Sequence, residues 1–120
     1  MKILIITVSI FLSGISGYSS QSKLDEEINH LMIYIESTDC LFIRNNISYP
    51  ACKALGHIKK KYNYFIDEIK CAEDFIKYSA TKSELSGKYY YIKCRDKEKI
   101  RCEQWLLSEL YRYRQRGESL

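Results

Sequence analysis

The sequence predicts an α+β domain dominated by helix, with a small antiparallel sheet packed by a long central helix or helix pair and by N- and C-terminal helices. Three observations carry this. An apolar stripe recurs at helical spacing from Leu55 to Ile76. Two short apolar runs, 41–44 and 47–49, flank Asn45-Asn46. A third run, 89–93, is aromatic and β-branched. There is no internal repeat, no low-complexity linker and no sign of a second domain.

The chain opens with Lys2, an apolar run over 3–12, and small polar residues with two glycines over 13–20. That layout predicts a signal peptide over 1–19, cleaved near 17–19. The run is shorter than the roughly 20 residues needed to span a bilayer, and no later stretch is long enough. No cysteine follows the small residues, so a lipid anchor is not expected. Residues 20–120 then form a single small domain, exported and not an integral membrane protein.

Leu24, Ile28, Leu31 and Ile35 predict a first helix over 24–36, with Ser22 as N-cap and Asp25, Glu26 and Glu27 in its first turn. Strands 41–44 and 47–49 form a hairpin, because asparagine tolerates the positive φ of a two-residue turn. Asn46-Ile47-Ser48 is also a glycosylation sequon, which the turn explains without a glycan. Pro50 opens the central helix, which is either continuous or broken near Lys70-Cys71. Residues 81–87 read as a turn, 89–93 as a strand and 96–101 as a charged loop. A last helix runs from Glu103 to about Arg114, burying Trp105, Leu106, Leu110 and Tyr113.

The formal charge is +4, and loss of Lys2 with the leader leaves +3. Lys59-Lys60-Lys61 and Arg112, Arg114 and Arg116 are the basic clusters. They suit an anionic partner, but a solvated helix face and a basic C-terminal turn that complements the helix dipole explain them too. Export argues against nucleic acid.

Five cysteines, Cys40, Cys52, Cys71, Cys94 and Cys102, follow the leader. None forms the close pair typical of a zinc site, so disulfides are the default for an exported chain and no metal is expected. If strand 41–44 pairs antiparallel with 89–93, Cys40 falls beside Cys94. The hairpin returns Cys52 to the same end, which makes Cys52–Cys102 a second candidate bridge. Cys71 is left as a free thiol, expected to be buried or inert rather than a link between chains; a monomer is favoured over a dimer.

Catalytic readings are weaker. A nucleophilic cysteine needs a base, and the two histidines are His30, with no evident acid partner, and His57, beside the apolar stripe. Asp67, Glu68, Glu73 and Asp74 are helical neighbours and do not face each other across the cleft a glycosidase needs. Glu73 is better read as capping a restarted helix. Ser86-Gly87-Lys88 lacks the rest of a phosphate loop. The eleven tyrosines, several beside lysine or arginine, either pack the sheet or offer an adhesive surface for protein or polysaccharide.

The run Cys40 to Asn45, then Ala54, His57, Lys61-Tyr62, Ala72 to Ile76, Ser86-Gly87-Lys88, Tyr90, Ile92, Cys94, Trp105-Leu106 and Leu110, taken in order, resembles the YfeK-like family of small exported bacterial proteins. The resemblance covers about residues 24–114. It implies a periplasmic envelope protein of unknown function, with no activity, cofactor or catalytic residue to carry over, and its cysteine positions match Cys40 and Cys94. Asn46 stands where glycine is usual and Tyr89 where proline is frequent; Cys52, Cys71 and Cys102 are additions. Arg44 and Lys88 are the binding candidates the match highlights. The expected role is a non-catalytic binding or interaction module of the cell envelope, with an envelope protein or polysaccharide as partner. A disulfide-linked structural dimer is the alternative, and a small hydrolase or thiol enzyme stands behind both.

Overall fold

A computed structural model describes residues 20–119. The signal-peptide segment lies outside them. The described chain is an α+β domain of four helices and one four-stranded antiparallel sheet. In order these are α1 (Ser20–Ser37), β1 (Leu41–Arg44), β2 (Ile47–Tyr49), α2 (Ala51–Tyr64), a 3₁₀ turn (Ile66–Glu68), α3 (Ala72–Ser79), β3 (Tyr91–Lys93), β4 (Ile100–Arg101) and α4 (Cys102–Ser119). The strand order is β2-β1-β3-β4. Among the described residues no helix is long and apolar enough to cross a membrane.

Helix α1 buries the predicted stripe of Leu24, Ile28, Leu31 and Ile35, and Glu27 with it. Ser22 is not its N-cap. The helix already includes Ser20, so Asp25 to Glu27 lie beyond the first turn. Asn45 and Asn46 have φ of 51° and 66°, the paired left-handed conformation of a two-residue hairpin. Pro50 is extended at the start of α2, and its carbonyl accepts from the Lys53 and Ala54 amides at 3.1 Å.

The central helix is a pair. It breaks earlier than the Lys70-Cys71 expectation: α2 ends at Tyr64, and Cys71 starts α3 in extended conformation. A straight helix over 51–79 would run about 43 Å, far beyond a domain with a radius of gyration of about 13 Å. Folding back lets the two halves of one stripe cover each other. Tyr62 meets Phe75 edge-on at 5.5 Å and Phe65 meets Tyr78 at 5.2 Å. The Asp74 carboxylate accepts from the Lys70 amide at the break, so Asp74 takes the capping place assigned to Glu73.

In the sheet, Leu41 pairs with Lys93, Phe42 with Ile92 and Ile43 with Tyr91. The third strand is shorter than 89–93. Tyr89 bridges Lys82 and the Tyr90 amide donates to Thr81, so both serve the preceding loop. Part of the expected charged loop is β4, whose Ile100 pairs with Ile92 and Arg101 with Tyr91. Asp96, at φ 58°, helps turn the chain there. Phe75, Leu31, Ile35, Ile76, Ile92, Leu106 and Leu110 form the fully buried centre. Trp105 closes it against Tyr34 at 4.5 Å and Phe42 at 5.7 Å.

Cys40 and Cys94 are joined by a disulfide, with Cα atoms 4.4 Å apart. It caps the Leu41–Lys93 end of the sheet. The second bridge does not form. Cys52 faces outward from the first turn of α2, while Cys102 is buried where β4 passes into α4. Cys71 is unpaired in the structure and exposed rather than buried.

The bridge closes a loop with a sequence separation of 54. Removing it by Cys40→Ala with Cys94→Ala should lower unfolding free energy by about 4 kcal/mol in the chain-entropy model. Urea denaturation checks this, and an unchanged midpoint would mean that the sheet end holds without its staple.

Candidate functional site

The chemistry-bearing side chains fall into three groups: one open cleft and two closed ion-pair clusters. The cleft lies between the hairpin, α2 and the loop over 81–90. Arg44 ends β1. His57, Lys60, Lys61 and Tyr64 recur on one face of α2 at i, i+3, i+4 and i+7. Ser83, Glu84, Leu85 and Tyr90 form the opposite wall, and the space enclosed is about 340 Å³.

The loop wall is held by its own bonds. The Ser83 amide donates to the Lys88 carbonyl and the Gly87 amide to the Ser83 carbonyl, both at 2.9 Å. Gly87 has φ 74°, which glycine adopts without strain. The Thr81 hydroxyl donates to the Ile76 carbonyl at 2.8 Å, fixing the loop to the end of α3. The Ser86 hydroxyl donates to Asn45 Oδ1 at 2.7 Å, fixing it to the hairpin tip.

Charge in the cleft is one-sided. Lys61 Nζ donates to the Lys82 carbonyl at 2.6 Å and lies 3.4 Å from the Glu84 carboxylate. It is therefore committed to tying α2 to the loop. Arg44 Nε is buried without a hydrogen-bond partner among the described residues. Burial holds His57 below the usual imidazole range, and Arg44, Lys60 and Lys53 add to the effect. The imidazole is thus neutral near pH 7 in a positive field. A small apolar cavity of about 30 Å³ lies beneath, sharing Arg44, His57 and Tyr90 with the cleft and reaching buried Cys102.

The two binding candidates from the sequence are not brought together. Arg44 lines the cleft, whereas Lys88 lines a separate concavity with Ile43, Tyr89, Tyr91 and Lys99. Neighbouring positions on a strand point to opposite faces, so Ile43 and Arg44 divide the two sites. On the Lys88 side the cations lie over tyrosines: Arg101 sits 3.6 Å from the Tyr89 ring and Lys99 4.6 Å from Tyr91.

The closed clusters were missed in the sequence. Arg114 of α4 clamps Glu27 of α1 at 2.8 and 2.9 Å and Glu73 of α3 at 2.7 and 3.0 Å. The clamp holds the Glu73 carboxyl below its ordinary range. Glu109, also buried, bonds His30 at 2.6 Å and Arg112 at 2.8 and 2.9 Å. His30 stacks on Tyr113 at 4.0 Å. His30 therefore has the acid partner the sequence did not reveal, Arg114 is a half-buried structural clamp, and Arg112 is an exposed side chain paired with buried Glu109. One signal was present: Glu27 and Glu109 fall on the apolar stripes of their helices, three residues after Leu24 and Leu106.

Cys71 and Cys102 are poor nucleophiles. Burial pushes Cys102 up to about 12. Desolvation also raises Cys71, and the carboxylates of Asp74 and Glu73 beside it add to the rise. A thiolate needs neighbouring cations, and Cys71 has neighbouring anions. Among the described residues no group of three or more His, Cys, Asp or Glu is placed to hold a metal.

A protein-family model described as a family of unknown function (DUF5329) matches residues 22–114. No curated protein and no solved structure matches the chain.

Arg114→Met would leave Glu27 buried and unpaired, and should cost about 3 kcal/mol in chemical denaturation. Glu73 is more exposed, so Glu73→Gln should cost less. Because Glu73 is depressed in the folded state, its contribution is present above its unfolded pKa of ~4.3 and fades as pH falls through the lower folded value. The wild type should lose stability more steeply than Glu73→Gln below about pH 4.5, and parallel stability–pH curves would contradict the clamp.

Proposed function

The chain belongs to the DUF5329 family of unknown function, and on that premise we propose that it is a non-catalytic binding module of the bacterial cell envelope whose ligand site is the Arg44–His57–Lys60–Lys61 cleft. The leader-like segment over 1–19, the Cys40–Cys94 disulfide and the YfeK-like resemblance support export to the periplasm. The observation that carries the binding reading is Arg44. Its buried Nε lacks a partner, in a cleft where Glu84 is the one carboxylate and already faces Lys61. An unsatisfied buried donor is costly, and an anionic group in the cleft would compensate the charge of that guanidinium.

The rest of the molecule argues against chemistry. The buried carboxylates are neutralised by arginine, and the free thiols that shift are raised. A second reading, a disulfide-linked dimer, rests on the outward-facing Cys71. Non-reducing electrophoresis separates the two: a band of doubled mass that collapses with reductant and vanishes in Cys71→Ser favours the dimer.

Sulfate is a suitable probe because it does not titrate near neutrality. In a heteronuclear NMR titration the amides of Arg44, His57 and Lys60 should shift together, and Arg44→Gln should weaken binding about tenfold. Binding should tighten as pH falls below the usual imidazole range, since protonated His57 adds a positive charge that the anion stabilises. His57→Gln should flatten that profile. Amides that do not move, or move equally in Arg44→Gln, would refute the cleft as a ligand site.

A further inference from the structure

The rim of the cleft carries the two most exposed large apolar side chains among the described residues. Leu85 is 94% exposed and Tyr64 is 80% exposed. Both line the same cleft as Arg44, His57 and Lys60. Ile47 is directly opposite Arg44 in the hairpin register, so it shares that face of the sheet, and it is 55% exposed. Isolated exposed apolar residues are ordinary. Three around one cationic hollow are a patterned surface.

The loop makes the pattern more specific. Leu85 lies within a turn pinned by the Ser83–Lys88 and Gly87–Ser83 backbone bonds and by Ser86 to Asn45. A polar residue at that tip would satisfy every one of these bonds equally well. The leucine is therefore held outward without a packing role. Lys82, three residues before it, is exposed as well. An apolar tip beside a cation, above a hollow that accepts an anion, matches one kind of surface. Phospholipid headgroups present phosphate at the depth of the cations and the acyl boundary just below, where leucine and tyrosine are favoured.

We propose that this face docks peripherally on an anionic phospholipid bilayer. A headgroup phosphate sits against Arg44 and Lys60, and Leu85 and Tyr64 enter the interfacial zone. The inference rests on the cleft reading and names its ligand as membrane-borne. Lys82 adds attraction to the anionic surface without contacting the bound headgroup.

The test is co-sedimentation of the protein with vesicles of phosphatidylcholine alone and of phosphatidylcholine mixed with anionic phosphatidylglycerol. Binding should require the anionic lipid. Leu85→Ser and Tyr64→Ser should each weaken it about tenfold. Both side chains are exposed, so neither variant threatens folding. Equal vesicle binding by wild type and Leu85→Ser would overturn the proposal. Sulfate binding without vesicle binding would overturn it too, while leaving the cleft as a site for a soluble anion. Loss of both would overturn the cleft reading itself.

Discussion

The arrangement of the helices depends on the Arg114 guanidinium. Apolar stripes alone would allow α1 and α4 to slide past one another by a turn with little change in buried area. The fork of Arg114 holds Glu27 of α1 on one side and Glu73 of α3 on the other, and a bidentate pair tolerates no such slip. Glu109 with His30 adds a second fixed point on the same interface. The sheet inherits this register. Helix α4 follows β4 without a linker, β4 pairs with β3, and β3 pairs with β1. A shift of α4 would drag the sheet with it, and the cleft wall at Arg44 would move.

Much of the fold was legible because its signals are local. The stripe of α1, the asparagine pair of the hairpin and the proline before α2 each encode their element within a few residues. The Cys40–Cys94 bridge was legible because it follows from strand alternation once two strands are paired. What escaped required knowledge of a partner elsewhere. A two-residue strand such as β4 has no period to detect, and it exists because β3 offers an edge. The Cys52–Cys102 expectation failed for a related reason. Counting residues brought both cysteines to one end of the sheet, but the first turn of α2 aims Cys52 at solvent while Cys102 enters the core.

The candidate site was legible only in part. Arg44 was singled out, and Lys60 and Lys61 were visible as a basic run. Nothing local shows that a loop some forty residues after Arg44 closes the far wall. Ser86 reaching Asn45 makes that closure, and it joins two turns that each look self-sufficient. Lys88 was grouped with Arg44 because both flank those turns. The pleat of β1 separates the hollow beside Arg44 from the concavity beside Ile43 and Lys88, where Arg101 and Lys99 cover tyrosines and the Arg101 Nε is likewise buried without a partner among the described residues.

The Cys40–Cys94 bond turns the chain between them into a covalent ring. Arg44, His57, Lys60, Lys61, Tyr64, Leu85 and Tyr90, which together make the cleft, all lie inside that ring, while α1 and α4 hang from it as two tails. Tension applied to the ends of the protein runs through the tails and across the sulfurs, bypassing the cleft. A single proteolytic nick within the ring leaves its two pieces joined. A cut inside the ring therefore leaves the residues of the cleft covalently joined, with α1 and α4 still packed to hold their register.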